Sequence, residues 1–215
     1  LYAKGAAEPV GPGRAKPYTV SALSRELPMR RAQTLSTGLL ALILAACSTS
    51  DLPPLKGTEQ SVDLVRFMGP WYVIASIPID IPFLPMFSEK GAHNGIESYR
   101  LTDDGIIETT YTFRKDSFDG PERVMTPRAR TANPPVNSEW KMKFKWYLPS
   151  SDYLILHVDP EYQRTVIGVP NRRYVWIMSR TPAMPDAEYT DLVSWLDTTG
   201  HDTAKLERVP QRWPD

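Results

Sequence analysis

The sequence predicts an all-β fold: an eight-stranded up-and-down antiparallel β-barrel with one C-terminal α-helix packed outside and a short final strand. Three observations carry that expectation. Proline is abundant at 21 of 215 residues, and Trp and Tyr together number 16, a mixture that suits short strands between turns and disfavours a helix bundle. From Met68 onward, short β-like runs alternate with turn signals at the spacing of a sandwich or barrel. After Pro185 the apolar period changes to that of a helix.

The elements follow in order. Residues 71–77 (WYVIASI) form the first strand. Residues 96–102 lead into Asp103-Asp104-Gly105, a tight hairpin signal, and residues 106–114 return. Phe118-Asp119-Gly120 turns the chain into residues 123–131, and Asn133-Pro134-Pro135 breaks the next connection. Residues 139–146 (EWKMKFKW) give the clearest strand. Trp140, Met142, Phe144 and Trp146 fall on one face, and Lys141, Lys143 and Lys145 on the other, expected to be the solvated exterior. Residues 153–158, 164–169 and 174–180 complete eight. Tyr189, Leu192, Val193 and Leu196 stand at i, i+3, i+4 and i+7, one face of an amphipathic helix that Gly200 stops. Residues 206–209 make the brief final strand, which closes an up-and-down barrel with an attached helix.

The N-terminal third is organised differently. Residues 29–46 carry Arg30 and Arg31, then a largely apolar stretch over residues 35–46, too short for a membrane span of ~20 but right for a signal peptide. Leu44-Ala45-Ala46-Cys47 resembles the bacterial lipoprotein lipobox, which implies acylation of Cys47 as the new N-terminus. Residues 1–28 show no apolar periodicity and read as a non-native extension ahead of a start at Met29. Six basic and two acidic residues precede Cys47, so a mature chain would carry 19 basic and 23 acidic side chains. Residues 47–61 form a polar, proline-stiffened tether after lipidation, and residues 62–215 the folded domain. Ser48, directly after the cysteine, resembles the sorting signal for an outer-membrane rather than inner-membrane destination.

Composition excludes several functions. With 25 basic against 25 acidic residues, no electrostatic footprint for nucleic acid exists. A single cysteine rules out an internal disulfide framework and any cysteine-based zinc cluster. His93, His157 and His201 show no metal-ligand spacing, and no GxSxG elbow, P-loop or dinucleotide glycine motif occurs. No metal, cofactor or catalytic residue is assigned.

Three motifs in order resemble the lipocalins, specifically the bacterial outer-membrane lipoprotein branch. Gly69-Pro70-Trp71, preceded by a short helical turn at residues 62–67, is similar to the family's glycine-x-tryptophan signature. Asp159 within VDPEY, followed by TVIG, is similar to the second motif, and YVWIMSRTP to the third. Arg180 then stands where the family lays an arginine across the signature tryptophan. The resemblance covers residues 62–210. It implies a calyx that binds, stores or transports a fatty acid or lysophospholipid at the outer membrane, without enzymatic activity and with the membrane reached through acylated Cys47. An eight-stranded barrel encloses one small ligand. The expected wall is Phe113, Trp140, Met142, Phe144, Tyr153, Ile155 and Trp176; Gly69, Trp71, Asp159 and Arg180 are structural. A barrel-fold enzyme using His157 or Tyr153, and an envelope interaction protein with a filled barrel, remain open alternatives. Residues 78–90 (PIDIPFLPMFSEK) depart from the pattern as a long apolar loop, expected to lid the mouth or to meet a membrane or a second copy in a homodimer.

Overall fold

A computed structural model describes residues 52–214. The segments expected as signal peptide, lipidated Cys47 and the start of the tether lie outside the described residues.

The described residues form a short helix α1 (Leu64–Phe67) and ten strands. These are β1 (Gly69–Ile77), β2 (Ala92–Leu101), β3 (Ile107–Lys115), β4 (Glu122–Met125), β5 (Arg128–Thr131), β6 (Glu139–Lys143), β7 (Ser151–Val158), β8 (Arg164–Gly168), β9 (Val175–Ser179) and β10 (Glu207–Arg208). Helix α2 (Asp186–Thr198) precedes the last strand. Every pairing is antiparallel. The neighbours run β1-β2-β3-β5-β6-β7-β8-β9, and β9 returns to β1, with Val73 opposite Met178 and Ile77 opposite Val175, so the sheet closes. β10 pairs Ala75 and Ser76 on the edge of β1 that β2 leaves free beyond Tyr72.

Eight walls therefore stand as expected, but two boundaries differ. The strand expected over residues 123–131 divides into β4 and β5, both against β3. Pro127 has no N–H for the ladder and bends the wall there, although its carbonyl still accepts from Thr109 at 3.0 Å. The lysine-flanked strand stops at Lys143, because its partner β7 begins at Ser151, opposite Met142. Residues 144–150 turn through a Leu148 N–H to Lys145 carbonyl bond ahead of Pro149. Trp146, expected inward, is consequently 86% exposed.

Alternation along β7, β8 and β9 builds two cores. Tyr153, Ile155, Val158, Ile167, Trp176 and Met178 face the barrel interior. Their sequence neighbours Leu154, Leu156, Val166, Val175 and Ile177 face outward into a second cluster with Leu196 of α2. Both faces of this side are thus buried, which explains strands such as β9 in which all five residues are buried. α2 begins after Pro185 with Asp186 and Glu188 in its first turn, where acidic groups favour the helix dipole. Gly200, at φ +85°, ends it.

Candidate ligand-binding site

The barrel has unlike ends. At the closed end, the short helix α1 presents unpaired carbonyls at its C-terminus. Arg180, from the end of β9, fills that need. Its guanidinium donates to the carbonyls of Arg66, Phe67 and Met68 at 2.8, 3.0 and 2.8 Å, to Pro70 at 2.7 Å and to Tyr162 at 3.3 Å. Its carbon centre lies 3.7 Å from the Trp71 ring centroid, a cation–π contact. Gly69 takes φ +93° there, and a Cβ on it would stand 3.4 Å from the guanidinium. The Trp71 indole N–H donates to Phe67 at 2.9 Å. Asp159 shapes the β7–β8 turn by accepting from the Gln163 N–H at 2.6 Å. Above this plug, Phe67 packs against Trp71, Tyr99 and Trp140 with centroids 5.2 to 5.5 Å apart.

At the other end the interior is hollow. A cavity of about 510 Å³ opens among the loops after β1, β6 and β8, within the range of roughly 300–1,000 Å³ typical of small-molecule sites. Met142, Phe144, Tyr153 and Trp176 line it. Phe113, Trp140 and Ile155, expected on the same wall, do not reach it. Trp140 is fully buried in the aromatic floor, stacked on Tyr153 at 5.5 Å, with its indole N–H bound to the Asn137 carbonyl. Phe113 stacks on Tyr111 at 5.2 Å, and Ile155 is fully buried below the opening. All three face the barrel interior, but alternation along a strand does not tell depth along the barrel axis.

The loop expected as a lid forms part of the wall. Ile79, Ile81, Leu84 and Phe87 face the cavity, while Phe83 and Met86 on the same loop are 91% and 64% exposed. Phe87 meets Phe144 edge-on at 5.8 Å, closing one side of the mouth.

Two wall residues were missed in the sequence, Glu89 and Glu97. Glu97 shares the parity of buried Tyr99 along β2, a signal that alternation offered. Glu89 lies in the lid loop, where no periodicity applies. The Trp176 indole N–H donates to Glu89 at 2.8 Å, and the Tyr153 hydroxyl to Glu97 at 3.2 Å. The Tyr99 and Tyr153 hydroxyls are hydrogen-bonded to each other. Burial pushes the Glu97 carboxyl up to about 7 and that of Glu89 up to about 8, the latter also through the nearby Glu97 charge. His157 packs on the barrel exterior against Trp195 of α2, so of the two residues a catalytic reading would use, only Tyr153 faces the cavity.

A closed barrel, plugged at one end and hollow at the other, defines the class of small hydrophobic-ligand binders. Residues 62–211 match the family model of the lipocalin-like domain, and the chain belongs to the lipocalin family. Temperature-induced lipocalin-1 of Arabidopsis thaliana is 33% identical over 160 residues, 71% of this chain and 81% of that protein. The outer membrane lipoprotein Blc of Escherichia coli K12 is 27% identical over 188 residues, 85% of this chain and 98% of Blc. The crystal structure of the cockroach allergen Per a 4 shares the fold with a TM-score of 0.54 at 18% identity, over 75% of this chain and 96% of its own.

Proposed function

We propose that this lipocalin is a non-enzymatic carrier, anchored through acylated Cys47 at a bacterial outer membrane, that binds, stores or transports a single-chain lipid such as a fatty acid or lysophospholipid. The observation that carries the reading is the apolar cavity of about 510 Å³ at the mouth of an otherwise filled barrel. Moving a chain of ~14 methylenes out of water yields on the order of 10 kcal/mol gross, of which association and chain ordering offset several. Micromolar to sub-micromolar binding is the net expectation. The likeness to Blc over most of both chains supports the envelope assignment, and the lipobox at Cys47 supports the anchor. Exposed Phe83, Met86, Trp146 and Tyr147 stand in the two loops at the mouth, an apolar lip suited to a membrane surface.

Native mass spectrometry of gently extracted protein tests the reading, with Cys47→Ser as its control. The expected result is one co-purifying single-chain lipid per barrel in both forms, with membrane association confined to the wild type. A barrel that emerges empty and fails to bind added lipid would refute carriage. A wild-type protein whose Cys47 carries no acyl group, or a Cys47→Ser protein that loses residues 1–46 and still partitions fully with the membrane, would refute the anchor.

A further inference from the structure

The cavity is one-sided in charge. Glu89, Glu97 and Asp152 line it, and among the described residues no lysine, arginine or histidine does. Asp152 is paired with Lys141 on the outer side. Glu89 and Glu97 are inside, 5% and 7% exposed, and each accepts a hydrogen bond through Oε2, Glu89 from Trp176 on β9 and Glu97 from Tyr153 on β7. They come from separate segments, the lid loop and β2, yet both carboxyls face the same cavity, and the Glu97 charge raises Glu89 further. A buried carboxyl is costly in its charged form unless a cation meets it. Among the described residues lining the cavity, none supplies that cation. An anionic head placed beside these acids would add a further negative charge to a low-dielectric site.

We propose that the lipid held in this cavity bears an ammonium group, which seats against Glu97 within reach of the Glu89 carboxyl while the alkyl chain lies along Met142, Phe144 and the lid. The assignment rests on the carrier reading above and adds the head chemistry and the orientation to it. The polar end goes in first, toward Tyr153 and the aromatic floor, and the chain points to the mouth. An alkylamine and an ethanolamine-headed lysophospholipid both carry this group. Because Glu97 and Glu89 hold their protons below about 7 and about 8, seating an ammonium below those values ionises a carboxyl and releases its proton to solvent.

Titration of the wild type at pH 6, where both carboxyls hold their protons, with dodecylamine, dodecanol and dodecanoate, followed by Trp fluorescence, tests this, since Trp176 lines the cavity and bonds Glu89. Calorimetry in two buffers of different ionisation enthalpy counts protons on the same samples. Dodecylamine should bind at least about tenfold tighter than either other probe, with net proton release. Glu97→Gln should weaken the amine about tenfold and change dodecanol by less than about threefold. Lauroyl lysophosphatidylethanolamine, titrated beside dodecylamine and beside its lysophosphatidylglycerol counterpart, then separates the two sources of the ammonium: a headgroup source makes it the tightest of the three, and a simple amine source leaves dodecylamine tightest. Equal or tighter binding of dodecanoate or dodecanol, or amine binding without proton release, would overturn the head assignment and leave carriage intact. Saturable binding of none of the probes would overturn both. Should Glu97→Gln fail to fold, the wild-type proton count and Glu89→Gln decide.

Discussion

The two ends of this barrel are built from similar residues and put to opposite uses. At the closed end Trp71, Phe67 and Trp140 are fully buried, and one guanidinium engages five backbone carbonyls. At the open end aromatic residues either line empty space, as Phe144 and Trp176 do, or face solvent, as Phe83 and Trp146 do. Its buried carboxyls have hydrogen-bond donors but no cation. Satisfied polar groups and dense packing make the first end the source of stability. The second end forgoes packing enthalpy and charge compensation, and what it gains is a volume that a ligand can fill.

The largest test of that division is Trp71→Ala. Emptying a large aromatic site should cost ~3–5 kcal/mol in chemical unfolding. Arg180→Ala should cost less, because backbone carbonyls near the surface recover water, and its effect should not add to that of Trp71→Ala, since both remove one shared contact. Strict additivity in the double-mutant cycle would mean that the stacked pair is not the plug.

The pH dependence of stability should come from the open end. Glu89 and Glu97 are held protonated in the fold, with carboxyl values of about 8 and about 7 against 4.5 ordinarily. Glu89 faces the Trp176 indole and the Glu97 charge; Glu97 faces the Tyr99 and Tyr153 hydroxyls. The folded chain thus binds more protons than the unfolded one between those values. The stability these groups permit is complete below about 4.5 and is lost as pH rises through about 7 and 8, by on the order of a few kcal/mol. Thermal unfolding from pH 5 to 9 reads this fall, and Glu97→Gln should flatten it. A profile that rises over the same interval would show that cations, not burial, govern these acids.

How much of this was legible in the sequence differs between the ends. The plug was readable because its parts are rigidly spaced: Gly69 and Trp71 at a strand start, Arg180 at a strand end. Side-chain parity placed Trp140, Met142, Tyr153, Ile155 and Trp176 inward. Parity is blind to depth, so cavity wall and floor were merged, and it fails where a strand loses its partner, as at Trp146. Glu97 obeyed parity, but its charge made a buried position hard to credit. Glu89 could be found only from the fold of a loop whose path depends on tertiary contacts.

The distinction between wall and floor gives the finest test, a pair of enlargements on the same inward face. Met142 borders the cavity and Ile155 is fully buried beneath it. Ile155→Phe forces extra volume into a filled layer, where overpacking costs about 1–3 kcal/mol. Met142→Trp has empty space to enter and should leave the unfolding midpoint within the equivalent of ~0.5 kcal/mol, the range of substitutions that meet no packed neighbour. Binding should order the other way. The new indole occupies volume the ligand needs, so Met142→Trp should weaken lipid binding by about tenfold, roughly 1.4 kcal/mol, whereas folded Ile155→Phe should bind nearly as the wild type does. Denaturant unfolding and lipid titration on both variants check the crossing. If Met142→Trp is the less stable of the two, the open end is packed like the closed one. The contrast between the ends, and carriage with it, would then fail.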